Sequence, residues 1–419
     1  MRHYIAVSIA ISLFAVPWLA TVFPDQAGYL ALRILDISGQ LAAVVTHNPR
    51  TIAQLQTKYA VDAERGTAKI RVLVMPGHEP GYGGAEYGDL KERDMTVQLA
   101  NELGKILANN SKYEVVIPRT GDSWSPTFST YFKNSWDQII AWQKDHRQES
   151  LQRIASSPTK VSAPKVIHNS APNDVAYKLY GITKWSNENN IDIAIHVHFN
   201  DYPGHPWKVP GKYSGFAIYT PSEQYANSTT TRAVSQAIFK RLQKYNPVSD
   251  LPGESDGIID EKDLIAIGAN DTADAASLLI EYGYIYEPQF TDPEARDMAI
   301  KDLAYQTYFG LEDFFHPGQS TVAATSYDTL ILPHTWKQGI ADATDSVQDI
   351  FALQTALLVD GVYPPTGRSK NDCPRTGKLG PCTKTSIQAF QYKYGLDNTG
   401  TVGPKTAEKL NGLYSIKSI

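Results

Sequence analysis

The sequence predicts an α/β protein: a mostly parallel sheet flanked by helices, followed by a small three-helix unit and preceded by a hydrophobic segment. Three observations predict it. From Ala68 to Phe315, short apolar runs ending in turn residues alternate with helical spacings, the pattern of a sheet covered on both faces. From Ser346 onward three short apolar stripes stand apart, with Gly-Pro turns and Thr caps before them. At the other end, Arg2 and His3 precede an apolar run from Tyr4 to Phe23, broken by two serines, Pro17 and Thr21.

A chain of 419 residues exceeds one ordinary core, so two domains with extensions are expected. Apolar content of 42% and charge of 20% are those of a globular protein. Net charge is −5 with both signs spread along the chain, and the absence of a basic block or basic-aromatic stripe excludes a nucleic-acid partner. The apolar start reads as an export signal. About 20 apolar residues also suffice to span a bilayer. No A-x-A site follows at once, so residues 1–25 are a signal peptide or a membrane anchor, and residues 26–67 a helical linker.

The elements follow in order. Ile70 to Met75 is an apolar run ending in Pro-Gly, as for a buried strand. Glu92 to Ala108 carries Met95, Leu99, Leu103 and Ile106 at helical spacing. Tyr113 to Ile117, Ile191 to Asn200, Gly215 to Thr220 and Ser277 to Tyr284 read as further strands, with helices over Thr231–Tyr245 and Glu294–Phe315. The segment of about 121–176 breaks the alternation: an aromatic, Ser/Pro-rich loop, then a polar helix over Asn134–Ser156, then Ser-Pro and Ala-Pro turns. It reads as an insertion on the rim of the sheet, and loops this long are functional or disordered.

Four fragments place metal-binding or proton-handling groups at strand ends or helix starts. His78 follows a strand through a Pro-Gly turn, where ligands collect in open α/β sheets; its ordinary alternative is a surface histidine. Glu92 suits a helix start, where Asp89 and Glu92 could form a capping box instead. In the strand to Asn200, Ile191, Ile193, Ile195, Val197 and Phe199 point one way, and Asp192, Ala194, His196, His198 and Asn200 the other. Two histidines on one face are unusual as core filling. Glu281 ends the run Ser277-Leu278-Leu279-Ile280, so a low dielectric should raise its pKa and suit it to proton transfer; a structural glutamate paired with a cation is the alternative. Two imidazoles and a carboxylate hold one Zn²⁺ and leave a position open for water.

Together and in this order, Met75-Pro76-Gly77-His78, Lys91-Glu92-Arg93-Asp94, Val197-His198-Phe199-Asn200 and Leu279-Ile280-Glu281-Tyr282-Gly283-Tyr284 resemble the zinc-dependent N-acetylmuramoyl-L-alanine amidases of bacterial cell walls. Val116-Ile117-Pro118-Arg119-Thr120 and Ser214-Gly215-Phe216-Ala217-Ile218-Tyr219 resemble two further strand ends of that family. The resemblance implies the zinc amidase fold over 68–316, with His78, Glu92 and His198 as zinc ligands and Glu281 as the catalytic carboxylate. His196, at the family's usual Ser position, is expected beside the ligands or as a substitute ligand, and Asn200 beside the substrate. Met75 and Glu79 depart from the family's Asp and Gly. Some amidases carry a helix that plugs the site until an activator protein removes it; by that analogy the insertion is a lid or plug, and a surface elaboration is the equal alternative.

After a linker over 317–345, residues 346–415 resemble the small peptidoglycan-binding domain of wall hydrolases, on Leu353-Gln354, Ala389-Phe390-Gln391 and Gly400-Thr401-Val402-Gly403-Pro404. Cys373 and Cys382, the two cysteines of the chain, suggest a local disulfide in an exported protein. The combined expectation is a zinc hydrolase that cleaves the amide between N-acetylmuramic acid and L-alanine. It would be exported to the bacterial envelope, bound to peptidoglycan through its C-terminal domain and held to the membrane if the N-terminal segment persists. The alternatives are a non-catalytic wall-binding protein and a zinc peptidase acting on stem peptides.

Overall fold

The computed structural model describes residues 48–61, 69–156, 171–317, 334–336 and 346–414, with the side chains of 153–156 left aside. The hydrophobic N-terminal segment and most of both linkers lie outside the described residues. Among the described residues no helix is long and apolar enough to cross a membrane.

Six strands form the central sheet: β1 (Ile70–Pro76), β4 (Tyr113–Val116), β5 (Ile193–Asn200), β6 (Ala217–Pro221), β7 (Ile258–Glu261) and β8 (Ala276–Tyr284). Their order is β4-β1-β5-β8-β6-β7. Every pairing is parallel except β6 with β8. A two-stranded hairpin, β2 (Glu86–Tyr87) with β3 (Leu90–Lys91), leads into the helix that begins at Glu92.

The alternation in β5 separates two cores. Ile193, Ile195, Val197 and Phe199 enter the larger one, with Leu99 and Leu103 of α2 (Glu92–Ala108), Val234 and Ile238 of α5 (Ser228–Tyr245), and Leu303 and Leu311 of α7 (Pro293–Phe315). Ala194 faces the other side with Leu73 and Met75. That side is covered by α3 (Pro126–Ser156) and α4 (Asn173–Glu188), through Phe128, Phe132 and Ile139 of the first and Tyr180, Ile182 and Trp185 of the second.

Two sequence expectations are corrected here. The first half of the insertion does not decorate the rim: α3 supplies much of the second layer, because its three buried apolar side chains would otherwise meet water. It starts at Pro126 rather than Asn134, with proline in the first turn, where a missing N–H costs nothing. The supposed helical linker is also partly core. The helix α1 (Ile52–Ala60) opens with a Thr51–Gln54 capping box and buries Leu55 and Tyr59 in the larger core.

The C-terminal unit consists of α8 (Val347–Asp360), α9 (Pro381–Lys393) and α10 (Pro404–Tyr414), preceded by the short α6 (Pro288–Thr291) and α7 of the sheet domain. Ile350, Leu353 and Leu357, Ile387 and Phe390, and Ala407 and Leu410 form its core, as the stripes predict. Cys373 and Cys382 form a disulfide. Part of the linker is docked as well: Trp336 is buried in this core, and its backbone N–H and C=O both pair with the Asn411 carboxamide.

The unit packs directly on the sheet domain. Phe351 of α8 lies in the larger core. Arg375 forms a buried ion pair with Asp302 of α7, donates to Thr355 and Asn246, and stacks over Tyr245 and Phe351.

Candidate metal centre

Three neighbouring strands end at one place. Pro76 pairs with Val197 and His198 with Glu281, so the C-terminal ends of β1, β5 and β8 stand side by side. An open α/β sheet presents ligands at that edge.

Gly77 donates to the Val197 carbonyl and turns the chain out of β1. His78 follows in the left-handed region at φ 69°, a conformation that costs free energy in a non-glycine residue and gathers at functional sites. Glycine at 77 has a steric reason: a Cβ there would lie 2.4 Å from His198 Cε1 and 2.6 Å from its Nε2. Beneath the turn, the buried Arg119 guanidinium donates to the carbonyls of Pro76, Gly77 and Arg93 and to Thr96. It thereby ties the end of β1 to the start of α2. This bracing role went unread in the sequence, where Arg119 entered only as part of a resembling strand end. A buried arginine beside Pro-Gly carbonyls has no linear signature.

Glu92 is the first residue of α2 and 4% exposed. The capping-box alternative is not realised, since no side chain caps this helix. Its carboxylate instead accepts the backbone N–H of Ala85 at 2.7 Å on Oε2 and that of Phe199 at 3.1 Å on Oε1. The Phe199 N–H is available because the β5–β8 register shifts between His198 and Asn200. His78 Nε2 lies 2.7 Å and His198 Nδ1 3.0 Å from the same Oε1.

Within the described residues, His78, Glu92 and His198 are a group whose ligand atoms all lie within 4.8 Å of one another. The donor set fits a zinc-type ion, and an orphaned atom points the same way. His78 Nε2 is buried without a hydrogen bond of good geometry, although Glu92 stands beside it. Burial lowers the proton affinity of His198, against the opposing pull of Glu92, and so favours the neutral imidazole that ligates metal. Burial works to raise the pKa of Glu92, but the two imidazoles hold it well below the usual carboxylate range.

Glu281 occupies the adjacent strand, opposite His198. Its Oε2 is buried with no hydrogen-bond partner. Burial, then the nearby charges of Glu92 and Glu254, push its pKa well above that of an ordinary carboxyl. The cation-paired alternative does not apply, because no salt bridge to Glu281 exists among the described residues.

The remaining predicted residues are placed differently. His196 is buried beneath α4, near Leu73, Ile182, Ser186 and Ala194. Burial and the neighbouring His198 push its pKa down to about 3, so it is neutral. It is not in the group of convergent ligand atoms. Asn200 donates to Glu254, a carboxylate with no signal of its own in the sequence, since it lies in an unpatterned turn. Glu79, the departure after His78, is buried and accepts from Lys178 of α4 at 2.8 Å and from Trp124 at 3.2 Å. It fastens the loop that follows His78 to the second layer.

Residues 72–311 match the model of the N-acetylmuramoyl-L-alanine amidase family, and residues 346–410 that of a putative peptidoglycan binding domain. Solved structures similar to the chain include the CwlD amidase of Clostridioides difficile in complex with the GerS lipoprotein, at 14% identity over 59% of this chain and 99% of that one, with a TM-score of 0.39. They include also the amidase Ami1 of Mycobacterium smegmatis (13% identity, 59% of this chain and 99% of that one, TM-score 0.39) and AmiC2 of Nostoc punctiforme (15%, 59% and 98%, TM-score 0.35). No curated protein matches the chain. With more than half of its length inside the first of those family matches, the chain belongs to the N-acetylmuramoyl-L-alanine amidases and carries a peptidoglycan-binding domain at its C-terminal end.

Proposed function

We propose that the chain is a zinc-dependent amidase of the bacterial wall, with His78, Glu92 and His198 as metal ligands and Glu281 as the residue that moves protons. One observation carries this reading: three convergent ligand atoms stand beside a buried carboxyl oxygen that has no hydrogen-bond partner among the described residues. A zinc ion held there supplies Lewis acidity and lowers the pKa of a water toward about 7.

The side chains do the rest. Two backbone N–H groups fix Glu92, so the ligand set is organised before metal arrives. Glu281, with a raised proton affinity, takes the proton of the attacking water at Oε2 and later delivers it to the nitrogen leaving with L-alanine. The bond broken joins the lactyl carbonyl of N-acetylmuramic acid to that nitrogen, and the products are a bare lactyl carboxylate and a free stem peptide. The C-terminal domain keeps the enzyme on its polymer and raises the local substrate concentration. A substrate in the wall implies export to the cell envelope. The packing of α3 on the sheet supports a structural layer rather than a plug for this helix.

Digestion of purified peptidoglycan tests the reading. Mass spectrometry should find free stem peptides beginning with L-alanine, and Glu281→Ala should cut their release by about 10²–10⁴-fold, the range of general acid–base catalysis, with zinc content unchanged. Shortened peptides still attached to sugar would make the enzyme a peptidase, and undiminished release by the variant would remove Glu281 from the chemistry.

A further inference from the structure

The hydrolysis described above leaves one buried carboxylate beside the ligand cluster without a task. Glu254 lies in the turn before β7 and is 1% exposed. Five hydrogen bonds converge on it. Asn200 Nδ2 reaches both oxygens, at 2.9 and 3.1 Å; Tyr219 donates at 2.6 Å, Ser249 at 2.5 Å and Tyr284 at 3.2 Å. A carboxylate that only closed its own turn would be held by sequence neighbours. Three of these donors come instead from β5, β6 and β8, two of which also carry His198 and Glu281.

The pairing is directional. A carboxylate accepts and cannot donate, so the Asn200 carboxamide must turn Nδ2 toward Glu254. Its carbonyl oxygen is then the atom left for another partner, and Asn200 is only half-buried. This residue lies two positions beyond a ligand on the same strand, just past the register shift that follows His198.

We propose that Glu254 is a positioning residue for the amide cleavage: it locks the flip of Asn200 so that the carboxamide offers Oδ1 as an acceptor to a peptide N–H of the bound stem. This rests on the amidase reading, which supplies a substrate rich in such groups. A glutamine at 254 sets an NH₂ against the converging donors and releases the flip.

Steady-state hydrolysis of a soluble muramyl peptide by the zinc-loaded full chain, with calorimetric binding of the same peptide, tests the assignment. Glu254→Gln and Asn200→Ala should each raise KM and weaken binding about tenfold, with kcat within about threefold. Zinc content should stay constant. The double variant should be no worse than Asn200→Ala alone, because the carboxylate acts through the carboxamide. A normal KM in either single variant, losses that multiply in the double variant, or zinc lost from Glu254→Gln would overturn the assignment. If Glu254→Gln fails to fold, Glu254→Asp, which withdraws the carboxylate from the Asn200 carboxamide, takes its place with the same outcomes. Wild-type chain that releases no stem peptide overturns the amidase reading and this inference together; active wild type with an unaffected Glu254→Gln overturns only the inference.

Discussion

His198 shows how burial prepares a side chain for metal. An exposed imidazole gains a proton near pH 6.5 and then cannot ligate. Burial lowers that value for His198, so the neutral ring persists into more acidic solution. Acid releases the metal only when protons outcompete it, and a depressed histidine pKa moves that competition to lower pH. Bound zinc, measured by equilibrium dialysis between pH 8 and 4, should therefore hold level through about pH 6.5 and fall below it. Loss of half the metal at or above that value would contradict the assignment of His198. At this scale the candidate cluster was legible, because His78, Glu92, His198 and Glu281 each stand next to a strand end or helix start that marks itself by its apolar run. It could not reveal Glu254 or the burial of Arg119. Both act on carbonyls, hydroxyls and amides distant in the chain, and hydrogen-bond partners leave no periodicity.

Among the elements, the turn after β1 and the helix α3 make opposite cases. The turn was legible: Pro-Gly after an apolar run ends a strand. Its stereochemistry sharpens the reading, since Gly77 leaves room for the His198 ring. A Gly77→Ala variant should fold, with an unchanged far-ultraviolet circular dichroism spectrum, yet bind zinc at least about tenfold more weakly, the lower end of what disturbing the support of a metal ligand costs. Unaltered affinity would mean that the ring and backbone yield freely. Helix α3 was misread because its composition is polar and its apolar residues are sparse. Phe128, Phe132 and Ile139 are its fully buried apolar residues, flanked by the partly buried Tyr131, Trp136 and Trp142, and the packing of the first three with Leu73 and Met75 is a tertiary fact. If the helix is a layer, Phe128→Ala should destabilise the chain by about 3–5 kcal/mol in urea denaturation, as for a buried aromatic truncated in a core, and should not raise activity. A gain in wall digestion from that substitution would restore the plug.

For the molecule as a whole, the sheet and the three-helix unit were both foreseeable from their separate patterns, and their docking was not. Phe351 and Arg375 look like ordinary members of a small helical domain until Asp302, Tyr245 and Asn246 are seen against them. An ion pair out of water is costly to break from one side, because the partner stays charged and buried, at about 3–5 kcal/mol. Arg375→Ala should accordingly split thermal unfolding, followed by calorimetry, into two transitions. It should leave cleavage of a soluble muramyl peptide intact while slowing solubilisation of whole sacculi. A single transition at the original temperature would show that the contact contributes nothing. The docked arrangement also bears on the pattern of cutting. A hydrolase on a flexible leash samples every bond within its radius and leaves fragments of random length. One whose grip and blade share a frame, braced through Arg375, can reach only bonds at a set offset from its foothold, and the glycan it strips should bear a regular spacing of bare sites.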